Sequence, residues 1–282
     1  CTRGIKNEPV GIGRLERFTS DWAFAHPEEA AAAMDGLREE CAAGDELACS
    51  IWRGAEGAVS QDLAGKRVAH LQCNVGFDTL ALAESAARVT GVDLAPENVR
   101  CAQRLAEDFG IGNVEFVEAD VCDLPASLNG RFDVAFTSEG VLGWLPDLDA
   151  WARGVRRLLV DGGFLYVFDS HPFYLAFDED KLGRGEYDLA YPYFGKEPDV
   201  EDRIGGYASE PKEGVTSYFW MHPVSDILNA LVGAGLHIDA FNEFSENFFD
   251  SGGHVLSPEK GLYELPGNDG RFPMTFSLRA SA

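Results

Sequence analysis

From Val68 onward, short apolar runs alternate with stretches of helical period, and this alternation sets the expected architecture. Val68 to Leu71 reads as a strand, and a turn holding Asn74 and Gly76 leads into a helix over Phe77 to Glu84. A second strand closes on Asp93. Pro96 then opens a helix whose apolar positions, Val99, Ala102, Leu105, Ala106 and Phe109, recur every three or four residues until Gly110 ends it. The run VEFVEAD gives a third strand ending in Asp120, and Phe132 to Thr137 a fourth. Leu148, Trp151, Val155, Leu158 and Leu159 mark the inward face of the next helix, and a DGG turn leads into a fifth strand, Phe164 to Phe168. A helix over Ser225 to Ala234, stopped by Gly235, precedes a strand from Leu236. The closing PMTFSLRA alternates Met274, Phe276 and Leu278 with polar residues. Strands alternating with helices predict a mostly parallel sheet covered on both faces.

Two regions fall outside this rhythm. Residues 1–20 carry mixed charge and glycines, as an arm would. Pro27 opens PEEAAAAMDGLREECAAG, with Glu28 and Glu29 favouring the helix dipole and Gly44 as a stop, and DELACSIW gives a second short helix. Residues 1–62 are expected to form an N-terminal arm and helical cap, lying over the ligand site or packed on a sheet edge, ahead of a domain at 63–282. The second region is 171–222, where 52 residues hold 11 aromatics and acids outnumber bases 11 to 5. So long a segment between core elements predicts a lid or binding insertion. Within it, SYFWMH alternates as a strand does, placing Tyr218, Trp220 and His222 on one face, toward either core or substrate.

Composition narrows the partners. The 282 residues carry a net charge of −24, which repels phosphate backbones and disfavours nucleic acid. A neutral or cationic small molecule is the better match, although acids on a solvated surface also serve solubility. No run approaches the roughly 18 apolar residues of a membrane span, and no charged-then-apolar leader is visible. A start at Cys1 reads as loss of the initiator Met or as a processed lipoprotein cysteine, and of the two a cytoplasmic enzyme is expected. The six cysteines (1, 41, 49, 73, 101 and 122) show no metal-like spacing, so no metal is expected and reduced thiols fit best.

The chemistry concentrates at the first strand, turn and helix. A tight turn lets backbone approach a ligand closely, and the first helical N–H groups point at it unpaired, which suits a nucleotide-like ligand. Asp93, 17 residues after Gly76, is placed at the end of the second strand to take two ribose hydroxyls. It also stands where it could cap the helix at Pro96. Asp120, after the third strand, is placed to accept from an adenine amino group or to cap the turn that follows.

The order of HLQCNVGFDTLALA, TGVDLAPENV, VEFVEADVCDLP, FDVAFTSEGVLGWLPDL and LLVDGGFLYVFDSHPF resembles class I S-adenosylmethionine-dependent methyltransferases, and among them bacterial small-molecule members whose first motif reads HLQC. Where most of that superfamily has Asp, Gly and Gly, this chain has His70, Gln72 and Asn74. The resemblance implies a Rossmann-like seven-stranded, mostly parallel sheet with a C-terminal antiparallel hairpin and helices on both faces. It also implies S-adenosylmethionine as cofactor, with S-adenosylhomocysteine as product. Contacts are implied at Gln72, Cys73, Asn74, Gly76, Asp93, Leu94, Asp120, Val121, Thr137 and Ser138.

Transfer from a sulfonium needs an aligned nucleophile and little else, so a strong cofactor signature and a weak catalytic one are expected. His171, just past the fifth strand, is the candidate base, although His171-Pro172 also shapes a turn. Glu139 is the candidate carboxylate on the acceptor side. Tyr174, Tyr207, Trp220 and His222 are candidate acceptor contacts from the insertion. The expected activity is methyl transfer to an O or N atom of a small molecule. The rivals are a non-catalytic binding protein with a degenerate cofactor fold and a nicotinamide-dependent dehydrogenase, the latter disfavoured by the missing glycine triplet.

Overall fold

A computed structural model describes residues 63–138, 140–206, 209–248, 253–257 and 262–282. The expected N-terminal arm and cap (1–62), Glu139 and Tyr207 lie outside the described residues. The main sheet has seven strands in the order β3-β2-β1-β4-β5-β12-β8. These are β1 (Arg67–Leu71), β2 (Arg88–Asp93), β3 (Val114–Glu118), β4 (Phe132–Ser138), β5 (Leu159–Ser170), β8 (His237–Phe244) and β12 (Thr275–Ser281). All neighbours from β3 to β5 pair parallel, whereas β12 runs antiparallel to both β5 and β8.

The alternation of side chains along each strand divides the core into two layers. Ala69, Leu71, Ala135, Leu165, Val167, Phe276 and Leu278 face α3 (Leu148–Leu158) and α5 (Val224–Gly233), meeting Trp151, Val155, Ile227 and Leu231. Their neighbours Val68, Val134, Phe136, Phe164, Tyr166 and Phe168 face the other way and pack with Leu82 and Ala83 of α1 (Phe77–Ser85). Beside them, α2 (Pro96–Asp108) packs Val99, Ala102 and Leu105 on Leu80 and Phe116. The helix ends follow local chemistry. Pro96 sits in the first turn of α2, and Asp147 caps α3 by accepting from the Ala150 amide at 2.8 Å. Arg156 and Arg157 occupy the last turn of α3, where cations favour the dipole.

Two findings extend the expected plan. The fifth strand begins earlier than the DGG turn suggested, because Asp161, Gly162 and Gly163 bulge between two paired stretches, Leu159 against Phe132 and Phe164 against Val134. The C-terminal antiparallel pair is present, but 245–274 intervenes between β8 and β12. That segment carries a small sheet of β9 (Glu246–Asn247), β10 (Val255–Ser257) and β11 (Leu262–Glu264).

The insertion after β5 contains α4 (Glu179–Leu182) and a two-stranded ribbon, β6 (Asp199–Gly206) with β7 (Ser209–Phe219). Its base packs on the second insertion: Phe177 lies 4.9 Å from Phe272 between ring centroids, with Phe173 and Tyr187 at the edges of the same ring.

Candidate functional site

The site is built at the C-terminal ends of β1, β2, β4 and β5, at the point where the strand order reverses on either side of β1, the position at which open α/β sheets hold ligands. After β1 the chain makes a turn with Gln72 at φ 56°, Asn74 at φ 51° and Gly76 at φ 88°. Left-handed backbone at two non-glycine residues is uncommon and is held here by side chains. Asn74 Oδ1 accepts from the Val75 amide at 2.6 Å, and Gln72 Nε2 donates to the Val141 carbonyl at 3.0 Å. Gly76 is required twice over, by its φ and by space. A Cβ there would lie 2.6 Å from the Ala102 Cβ and 2.9 Å from the Phe116 ring.

Asp93, at the end of β2, lies beneath this turn and is almost fully buried. Its Oδ2 accepts from the Asn74 amide at 2.9 Å, while Oδ1 accepts from the Ala95 amide at 2.8 Å and from Asn98 Nδ2 at 3.2 Å. Burial pushes its carboxyl pKa above the ordinary range, against the opposing pull of these donors. The carboxylate therefore clamps the turn after β1 to the start of α2. Asn98 was not picked out from the sequence, because its partner is set by the helix's approach to β2.

Asp120 accepts from the Cys122 amide at 2.8 Å, shaping its own turn. Val121 and Cys122 beside it join the core against α3, and the thiol of Cys73 is buried under the turn against α2 and Phe116. Leu94 is half-buried at the rim. Thr137 and Ser138, at the end of β4, are both buried. Gln72 Oε1 and Thr137 Oγ1 are buried without a hydrogen-bond partner among the described residues. Thr137 pairs across β1 with Leu71, the residue before Gln72. Two orphaned acceptors on adjoining strand ends, each costing roughly 1–3 kcal/mol when left unmet, fit a polar ligand that donates to both.

His70 stands where the resembling superfamily has an acid. Its ring is buried, with Nδ1 2.9 Å from Thr79 Oγ1, and burial pulls its pKa down to about 3. The imidazole is thus neutral and ties β1 to α1.

Asp169, at the end of β5, was also unmarked by sequence. One of its oxygens accepts from the amides of Gly140 at 2.5 Å and Ser170 at 2.7 Å, the other from Leu142 at 2.9 Å, and both lie 3.2 Å from the Val141 amide. Burial pushes its carboxyl up to about 6.

The acceptor-side expectations change more. His171 is buried, its Nδ1 accepts from the Phe173 amide at 3.1 Å, and its Nε2 lies 2.9 Å from Glu243 Oε1. An Nδ1 that accepts fixes the proton on Nε2, which then donates to Glu243, so no lone pair is left to take a substrate proton. Burial lowers its pKa, with Glu243 opposing. The ring joins the end of β5 to β8, which corrects its expected role as a base.

Tyr174 is likewise a core residue, its hydroxyl 3.3 Å from Asn247 Nδ2, and packs with Leu265 and Met274 of the second insertion. Trp220 and His222 reach the segment that follows β4. The Trp220 amide donates to the Gly143 carbonyl at 2.7 Å and His222 Nε2 to the Leu145 carbonyl at 2.7 Å. Among the described residues no cluster of His, Cys, Asp and Glu is arranged to hold a metal ion, and no helix is long and apolar enough to cross a membrane.

The sheet order and the crevice at its reversal define the Rossmann-like fold of class I methyltransferases. Residues 68–163 match the family model of a methyltransferase domain, from β1 to the bulge near the start of β5. A ubiquinone biosynthesis O-methyltransferase of Xanthomonas oryzae pv. oryzae (strain PXO99A) is 38% identical over 106 residues, which cover 38% of this chain and 44% of that protein. The chain thus spans less than half the length of the curated relatives it matches. A solved S-adenosylmethionine dependent methyltransferase from Mesorhizobium loti superposes with TM-score 0.51 at 20% identity, over 82% of this chain and 99% of that one. Geranyl diphosphate C-methyltransferase from Streptomyces coelicolor A3(2), in complex with Mg2+, geranyl diphosphate and S-adenosylhomocysteine, gives TM-score 0.51 at 16% identity, over 80% and 78%.

Proposed function

We propose that the chain is an S-adenosylmethionine-dependent methyltransferase acting on an O or N atom of a small, neutral or cationic molecule. The observation that carries this reading is the turn at 72–76, held over the buried Asp93 and opening onto the orphaned acceptors Gln72 Oε1 and Thr137 Oγ1. Gln72, Asn74 and Gly76 would line the amino-acid and ribose end of the cofactor, with Asp93 and Leu94 at the ribose and Asp120 and Val121 at the adenine. Thr137 and Ser138 would face the sulfonium. The cofactor supplies an already activated methyl group. The chain's task is to orient the acceptor and exclude water, and the ribbon end at Trp220 and His222 is suited to both.

The relatives named O-methyltransferase favour oxygen among the acceptor atoms. With the His171 ring engaged at both nitrogens, positioning rather than proton abstraction by that residue is the basis of the proposed transfer. Calorimetric titration with S-adenosylmethionine and with S-adenosylhomocysteine tests the reading. Binding with a Kd in the micromolar range supports it, and no heat with either sinks it in favour of a degenerate fold. Screening phenolic and amine acceptors with labelled donor then separates the acceptor atoms.

A further inference from the structure

The segment 140–145, between β4 and α3, is gripped from three directions. From β5, Asp169 takes the three consecutive amides of Gly140, Val141 and Leu142. From the turn after β1, Gln72 Nε2 holds the Val141 carbonyl. From the ribbon, the Trp220 amide and His222 Nε2 hold the carbonyls of Gly143 and Leu145. Trp144 packs its ring edge-on to Phe219 at 5.1 Å, and a Cβ on Gly143 would fall 2.1 Å from the same Phe219 ring. The ribbon thus approaches this backbone as closely as a side-chain-free residue allows. A carboxylate accepting from successive backbone amides fixes their direction, and with them the direction of the carbonyls that Gln72 and the ribbon use.

We propose that Asp169 is a positioning residue that holds 140–145 as one strap between the cofactor turn and the insertion, so that occupancy at Gln72 is transmitted to Trp220 and His222. This rests on the donor-site reading above and deepens it, since it makes the donor organise the acceptor side before any acceptor arrives. Coupling of this kind requires an element whose arrangement both sites bias, and the strap is the backbone that Gln72 and the ribbon share.

Hydrogen exchange of the full chain with and without S-adenosylhomocysteine tests it. In the wild type, exchange over 72–80 and over 216–222 should both slow on saturation, the second by at least about fivefold, the lower end of ordinary coupling between sites. In Asp169→Asn the response at 72–80 should remain while that at 216–222 is lost. A merely structural role for Asp169 would instead weaken both together. His222→Ala, which removes one tie without touching the sheet, should reduce the 216–222 response alone, and it decides the matter if Asp169→Asn does not fold. Silence at 216–222 in the wild type, or an unchanged response there in both variants, overturns the strap. Silence at 72–80 in the wild type overturns the donor-site reading and the strap with it.

Discussion

The proposed donor side and the proposed acceptor side of this molecule are built by different means. On the donor side, three polar groups sit at or near the ends of parallel strands and are buried with their partners: Asp93 under its turn, Asp169 under residues 140–142, His70 against the Thr79 hydroxyl. On the acceptor side the polar and aromatic groups sit on two insertions, and several rings stand in solvent. Phe194 is 76% exposed, and Tyr187 and Tyr191 are also exposed. The contrast teaches where specificity resides. On the proposed reading, a cofactor common to many enzymes is met by buried strand ends, while the part that would match one acceptor hangs on chain that can change without disturbing the sheet.

The contrast can be broken at several points. Trp151→Ala, in the fully buried face of α3, should cost about 3–5 kcal/mol of stability, read as a shift of the urea midpoint at constant m-value. His70 should make the donor side sensitive to acid. Its folded pKa, about 3, lies below its unfolded value of 6.5, so its contribution is complete above pH 6.5 and is lost as pH falls toward 3. Between pH 7 and pH 4 that loss is about 3 kcal/mol, and His70→Asn should flatten the stability profile relative to wild type by that amount. The raised carboxyl of Asp169 works in the opposite sense, losing its contribution as pH rises from about 4 to about 6, so the comparison is of variant with wild type at each pH.

Asp93→Ala should weaken S-adenosylmethionine binding by about 1.5–3 kcal/mol in calorimetry, as for a charged hydrogen bond. An unchanged Kd would remove Asp93 from the site. On the acceptor side the effects should be smaller. Once an acceptor is in hand, His171→Ala should lower kcat by less than about tenfold, well short of the 10²–10⁴ expected for loss of a base, with donor affinity retained. Smallest of all, Phe194→Ala should leave stability within about 0.5 kcal/mol, and a larger loss would mean that this ring is covered.

The strands, helices and turns around the proposed donor side were largely legible from sequence because their signals are local. Apolar runs of strand length, Pro96 at a helix start, Gly110 and Gly235 at helix ends and an acid closing β2 each lie within a few residues of what they determine. The rest depended on contacts made far along the chain. His171 read as a base until Glu243, 72 residues later, supplied a partner for its ring. Asp169 acquires its meaning only when β4 and β5 pair and bring 140–142 overhead. The second insertion left little trace in the hydrophobic pattern, since β9, β10 and β11 are two or three residues long, too short for an alternation to register.

The place of β12 in the sheet has a kinetic consequence. Ser170 and Thr275 pair directly although 105 residues separate them, so β5 gains its second neighbour only by closing a very long loop. Until it does, the edge of β5 between Phe164 and Phe168 is an unpaired apolar strand flanked by an already formed parallel sheet. Such an edge is a template for pairing with other chains. Refolding should therefore be a contest between capture of β12 and self-association. Its yield should fall steeply with protein concentration, while the β1–β4 half is already native.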